Sequence, residues 1–342
     1  MAIAATSYFT LMLDEHERVH IAGSLHPKDK SIGVRPLNLP ILVTQLTTSS
    51  NAAVFIDNGG YLWVLAISKK RPENDDTPST QFFKLDEDPN YLSVSCNSHC
   101  ISAINSKNEV IEFSANGKYK IQGLDNIKMI ASGDEFTMYL SHSGFVYTKG
   151  VNFFGQLGVG DYLNRCEVTK IPKISNIVSI ACGGQFTLFL NEDGDVFSTG
   201  WNYYGQLGLG DRKQRSTPEK IHGIPPIREI SCTAYSSMML DYSGVVWVCG
   251  YNYYGQLGTG DTKDRYSPCR VTNAKDIILM SKGGKHTILK SANEKVWVMG
   301  KNINSQLGFP QIVKYISSPT TSDQLSCRIG NPITFHGKSA RV

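Results

Sequence analysis

The chain has 342 residues, 41% of them hydrophobic, and its 34 basic and 30 acidic side chains leave a net charge of +4. That length and apolar content suffice for a large buried core, while so small a charge excess gives no electrostatic footprint for nucleic acid. The 8 cysteines include no Cys-x-x-Cys pair, which argues against a cysteine zinc site and suits a reducing compartment.

Residues 1–13 lack a basic start and a small-residue cleavage pattern, and no apolar run approaches the roughly 20 residues of a membrane span. Neither a signal peptide nor a spanning helix is expected, and the expected setting is intracellular, cytoplasmic or nuclear. Met1 already falls inside a first unit: residues 2–13 can be laid on 179–190, with Phe9-Thr10 on Phe186-Thr187 and Gly23 on Gly200. No leader or basic tail is expected ahead of it. Residues 26–39 form a connection containing Pro and Lys. A second unit opens near Val43, with strands at Ala53-Val54-Phe55-Ile56 and Tyr61-Leu62-Trp63-Val64-Leu65 joined by Asp57-Asn58-Gly59-Gly60. Residues 69–90 mix Lys69-Lys70-Arg71 with acids and three prolines, and read as an exposed loop. A third, truncated unit begins at Tyr91, with strand sequence at Val94, Cys96, 101–105 and 110–113.

From Ile127 to Gly308 the same words recur. Asn202-Tyr203-Tyr204-Gly205-Gln206-Leu207-Gly208-Leu209-Gly210-Asp211 reappears 50 residues earlier and 50 later, and in worn form from Asn302. A fixed period of this size signals stacked repeats. Within one repeat, 177–182 alternates as a half-buried strand and Gly183-Gly184 turns the chain into a second strand, 186–190. Asn191-Glu192-Asp193-Gly194 is a hairpin turn into a third strand, 196–199, because Asn, Asp and Gly tolerate positive φ. A weaker strand, 218–221, contains Pro218, which implies a sheet edge. Unit starts at 1, 43, 91, 127, 177, 227 and 277 number seven. Each is a small antiparallel sheet of about four strands that needs neighbours to cover its faces. Seven such sheets set radially give an all-β, seven-bladed β-propeller, here one domain spanning 1–342. Ile333-Thr334-Phe335 in the 326–342 tail is a candidate strand to close the ring, and residues 2–6 are the competitor for that slot.

The repeated Gly-x-(His/Phe)-Thr, Asp-Gly, Gly-x-Asn and Gly-Gln-Leu-Gly-x-Gly-Asp words resemble the regulator of chromosome condensation repeat family, specifically over 127–308. The resemblance implies a seven-bladed propeller and a range of functions, ubiquitin-ligase modules and a plant ultraviolet-light receptor among them. Founding members exchange nucleotide on the small GTPase Ran; others are protein-binding modules. Exchange makes no covalent bond and needs a broad surface with a few anchors. Carried onto this chain, the face that engages the GTPase would present Asp134 in Gly133-Asp134-Glu135-Phe136-Thr137 and His286 in Gly284-Lys285-His286-Thr287, with Gln185, Tyr235 and Tyr8 in the same turn of other units. Against this, the recurrence of Phe136-Thr137 and Phe186-Thr187 favours a structural place for His286-Thr287, and Asp134 suits a solvated turn as well as a partner contact.

The words Gly155-Gln156-Leu157-Gly158, Gly205-Gln206-Leu207-Gly208 and Gly255-Gln256-Leu257-Gly258 read as structural turns, since they repeat and open no helix. The pairs Phe153-Phe154, Tyr203-Tyr204 and Tyr253-Tyr254 read chiefly as packing between blades rather than as a stacking platform for nucleic acid. His16-Glu17-Arg18-Val19-His20 has metalloprotease spacing, but the first-unit register lays Glu17 on Gly194 and Val19 on Val196, so it predicts a hairpin and no metal site. No nucleophile elbow or phosphate loop is present, so no catalytic residue and no cofactor are expected. The reading is a monomeric propeller that binds a protein partner. Its alternative is an exchange factor for a Ran-like small GTPase, in which a loop of the first three units, such as 69–90, would supply a wedge that the compact repeats lack.

Overall fold

The computed structural model describes residues 3–5, 9–14, 16–23, 33–49, 52–67, 80–309 and 313–322, which contain strands and no helix. Tyr8, residues 69–79 and the 326–342 tail lie outside them. The strands form seven four-stranded sheets, each an antiparallel meander in sequence order. The blades span residues 3–36, 43–84, 91–120, 127–170, 177–220, 227–270 and 277–321. In blade five the strands are Ile177–Cys182, Phe186–Asn191, Val196–Gly200 and Arg215–Lys220, so the outermost strand begins three residues before the stretch predicted for it. Pro218, Pro268 and Pro319 all sit in outermost strands, where a missing N–H breaks no ladder.

Seven hydrophobic clusters hold the blades, one at each seam. The second strand of each blade therefore has both faces covered, and Phe136–Ser141 and Ser236–Asp241 are buried along their whole length. The ring closes by side-chain packing, with Met12 and Ala22 of blade one against Ile288, Val296, Val298 and Leu307 of blade seven. Ile3–Ala5 is the innermost strand of blade one, pairing Ala4 with Leu11 as Ala181 pairs with Leu188 in blade five. Blade seven gains its fourth strand from Tyr315–Thr321.

Two expectations need correction. The 69–90 stretch is not all loop, because Thr80–Lys84 is the outermost strand of blade two. The charges around it hid an apolar pair, and Phe82 stacks on Trp63 with ring centroids 5.2 Å apart. The third unit is short yet complete, since Gly117–Lys120 folds back on Val110–Ser114 through a two-residue turn.

The Gly-Gln-Leu-Gly loop is more than a turn, because it reaches from its own blade onto the next. Leu157, Leu207, Leu257 and Leu307 are fully buried, each within a cluster shared with the following blade. Asn202 shapes the loop from within: the Leu207 N–H donates to its Oδ1 at 3.0 Å, and its Nδ2 donates to the Asp211 and Lys213 carbonyls at 3.1 and 3.0 Å. The hydroxyls of Thr187, Ser237, Thr287 and Thr10 each donate to the carbonyl of the preceding blade's loop glutamine. Blade three has no such loop. Its seam with blade four carries an ion pair instead, Lys149 to Glu112 at 3.3 Å, with the Tyr119 hydroxyl donating to the same carboxylate.

This contact constrains Gly155 twice. Its φ is +79°, and a methyl there would lie 2.5 Å from the Arg215 carbonyl oxygen and 2.6 Å from Ser216 Cα. Both neighbours are backbone and cannot rotate away. Gly155→Ala is expected to cost about 2–4 kcal/mol, from left-handed strain plus overpacking. A thermal melt within error of the parent would contradict the close approach.

The His16–His20 stretch forms a hairpin, with Glu17 in the turn at φ 60° and His20 in the strand Val19–Gly23. Asp14 accepts the His16 and Arg18 N–H groups at 2.9 Å, and its Oδ2 is 2.9 Å from His20 Nε2. Asp57 with Trp63, and Asp241 with Trp247, repeat the arrangement, each indole N–H donating to the aspartate six residues back. His20 thus stands where other blades use tryptophan, as a ring donor that ties a hairpin. Burial alone would raise the Asp14 carboxyl, but hydrogen bonds from His20 and the turn outweigh it and leave the pKa lowered.

Candidate functional site

The innermost strands run toward one end of the ring axis, where their last residues and first turns line a cavity of about 450 Å³. Small residues dominate the lining, with Asp134, Glu135 and Gln185 as its larger polar members. Backbone bonds cross the seams here. The Ser98 hydroxyl donates to the Asp134 carbonyl at 2.8 Å, the Asp134 N–H to the Gly184 carbonyl at 3.0 Å, and the Gly184 N–H to the Ala234 carbonyl at 2.9 Å. The turn at Gly184 packs tightly, since a Cβ there would stand 2.9 Å from Asp134 Oδ2 and 3.1 Å from the Ala234 oxygen. The cavity mouth is thereby a pre-set ring of turns with an exposed acid, Asp134, on its rim.

The predicted contact residues separate. Asp134 and half-buried Gln185 share the mouth. Tyr235 turns outward into an aromatic cluster, against Trp201, Tyr204 and Tyr251 at 5.7, 5.9 and 6.1 Å. Its hydroxyl pKa is raised by burial, with the Asp134 charge adding to it. Tyr8 lies outside the described residues.

His286 does not reach the surface. It lies fully buried beneath Gly283, in the place Phe136 and Phe186 occupy beneath Gly133 and Gly183. Its Nε2 is 2.7 Å from Thr10 Oγ1, whose own proton goes to the Gln306 carbonyl. Nε2 therefore carries the imidazole proton and donates across the closing seam. Nδ1 has no partner, and burial pushes the pKa down to about 3 with help from the Lys301 charge. A partner-contact role for His286 is not compatible with this burial.

The larger feature of this face is aromatic. Eight rings, Phe154, Trp201, Tyr203, Tyr204, Tyr235, Tyr251, Tyr253 and Tyr254, form an unbroken chain of aromatic contacts across blades four to six. The second member of each aromatic pair spans a seam, Phe154 onto Trp201 at 5.8 Å and Tyr204 onto Tyr251 at 4.7 Å. The first members stay in solvent: Phe153, Tyr203 and Tyr253 are 63%, 54% and 64% exposed. Their signal in the sequence was the pairing itself, because a ring needed only for packing does not require an aromatic neighbour pointing the other way.

The family model described as the regulator of chromosome condensation (RCC1) repeat matches residues 143–190, 193–240 and 243–289, and a second model of the same repeat matches 177–206 and 227–256. No curated relative matches the sequence. Human WBSCR16 is similar in structure, at 18% identity over 84% of each chain with a TM-score of 0.73. So is Prp20p of Saccharomyces cerevisiae, a protein described by its binding to Gsp1p and histones, at 20% identity over 84% of this chain and 81% of that one, TM-score 0.72. The ectodomain of the Physcomitrella patens receptor kinase CR4 aligns at 14% identity over 88% and 73% of the two chains, TM-score 0.59. At such identities the likeness is one of fold. The described residues of this chain thus form a seven-bladed β-propeller, and over residues 143–289 it carries regulator of chromosome condensation repeats.

Proposed function

We propose that the chain is a protein-binding propeller whose partner docks on the face formed by the cavity mouth and the aromatic belt. The observation that carries this is the exposed row Phe153, Tyr203 and Tyr253, backed by a packed aromatic layer. Rigid aromatics on a pre-formed surface supply large contact area at low entropic cost and are the residues that most often dominate binding. The described residues contain no helix long and apolar enough to cross a membrane.

The second reading is nucleotide exchange on a Ran-like small GTPase. It draws on the fold shared with Prp20p, described as binding Gsp1p, and on Asp134 at the rim of the mouth. Of the 69–90 stretch named as a source of a wedge, Thr80–Lys84 is committed to blade two as its outermost strand.

Release of a fluorescent guanine nucleotide from a panel of small GTPases separates the two. Exchange predicts acceleration that falls at least tenfold in Asp134→Ala; a platform predicts no acceleration, and binding that does not depend on the nucleotide state. In either case Tyr203→Ala with Tyr253→Ala is expected to weaken partner binding at least tenfold, about 1.4 kcal/mol or more. Undiminished affinity in that double variant would remove the belt from the interface.

A further inference from the structure

The seams of blades four to seven repeat one three-residue arrangement, and the last departs from the others. Between blades five and six, Tyr204 rests on Tyr235 and Tyr251. Between blades six and seven, Tyr254 takes the place of Tyr204, and the two residues that meet it are Lys285 and Lys301, with Nζ atoms 5.5 and 5.7 Å from its ring centroid. Lys301 is held in place by its backbone, whose N–H donates to the Lys285 carbonyl at 2.9 Å. Two ammonium groups thus converge on one ring, and neither makes an ion pair among the described residues. The ring attracts both, but only by about 0.5–1 kcal/mol each at a partly exposed site. The burial of Lys301 lowers its proton affinity, and the charge of Lys285 lowers it further. Exposed Tyr253 stands in edge-to-face contact with Tyr254, its centroid 5.1 Å away, and Ile303 is exposed on the following loop.

We propose that Lys285, Lys301 and Tyr254 form a carboxylate-binding notch for an acidic peptide segment of the partner protein, with an apolar side chain beside the acid lying on Tyr253. A carboxylate between the two ammonium groups accepts a charge-assisted hydrogen bond from each and removes their mutual repulsion, which no group of the described chain does. A nucleic-acid strand fits less well. Arg212 lies over the Tyr203 ring at 4.3 Å, but Asp211 and Asp261, each paired with its own arginine at 2.8 Å, and Asp264 interrupt the cations of the neighbouring loops.

This inference rests on the protein-binding reading, and its test keeps the two apart. A display library of random 12-residue peptides is selected on the wild-type chain, on Lys285→Glu with Lys301→Glu, and on Tyr203→Ala with Tyr253→Ala; a Lys285→Gln, Lys301→Gln pair substitutes if charge reversal impairs folding, as judged by the melt. Wild type is expected to enrich Asp or Glu beside an aromatic or aliphatic residue. The charge-reversed variant should bind those peptides at least tenfold more weakly and enrich Lys or Arg in their place; the glutamine pair should lose the acidic preference without reversing it. Peptides enriched on wild type without acidic bias, and bound equally by the lysine variants, would overturn the notch while leaving the platform intact. No enrichment, or retention of single-stranded DNA alone, would overturn both.

Discussion

Replacing Leu207 by alanine is expected to lower the free energy of unfolding by about 3 kcal/mol. The side chain is fully buried and comes from a loop of blade five, yet its cluster includes Cys232, Met239 and Cys249 of blade six. The space it leaves cannot close easily. The loop is fixed by Asn202 on one side and by the Ser237 hydroxyl on the Gln206 carbonyl on the other, so the cost includes a cavity as well as lost transfer energy. Leu207→Met, which conserves volume, should cost less than about 1.5 kcal/mol. Urea unfolding checks both, with the midpoint falling and the slope unchanged. A loss below about 1 kcal/mol for the alanine variant would mean that the loop covers the seam without holding it.

His286→Phe should make the protein less sensitive to acid. The native imidazole is buried and neutral, with its pKa pushed down to about 3, whereas in the unfolded chain it titrates near 6.5. Below pH 6.5 the unfolded state takes up a proton that the folded state refuses, so the site's stability is fully present above that value and is lost progressively as pH falls toward 3. Between pH 7 and pH 5 this one group is expected to remove about 2 kcal/mol. Phenylalanine already fills the same position under Gly133 and Gly183, so the ring should fit under Gly283, and Thr10 keeps its bond to the Gln306 carbonyl. Melting the two proteins at both pH values isolates the effect, because every other titrating group is common to them. An equal fall in stability would show that His286 is protonated, or solvated, in the folded state.

These two residues also show how far the sequence reaches. Leu207 was legible as part of a repeated word, and its turn character follows from the glycines around it, but local chemistry says nothing about the blade in which it is buried. The next blade receives it because the loop lies over the seam, and that offset comes from the rotation between neighbouring sheets. His286 was legible as a variant of a phenylalanine column. The hydroxyl that meets its ring, Thr10, stands 276 positions away and is brought there only by closure of the ring.

What the sequence determined by itself is the count of blades and, in the repeats from 127 on, the order of strands and the turns between them, because period, alternation and positive-φ residues act over a few neighbours. It also put Asp134 and Gln185 in the same turn of neighbouring blades, and both line the cavity mouth. The tertiary structure alone decided which ring of each aromatic pair faces solvent, that Tyr235 joins the belt rather than the mouth, that Thr80–Lys84 belongs to a sheet, and that Lys285 and Lys301 share one tyrosine. Each of these is settled at a seam or across a sheet, where side chains far apart in sequence compete for the same space, and that competition is resolved by packing and solvation between blades rather than by the preferences of any single segment.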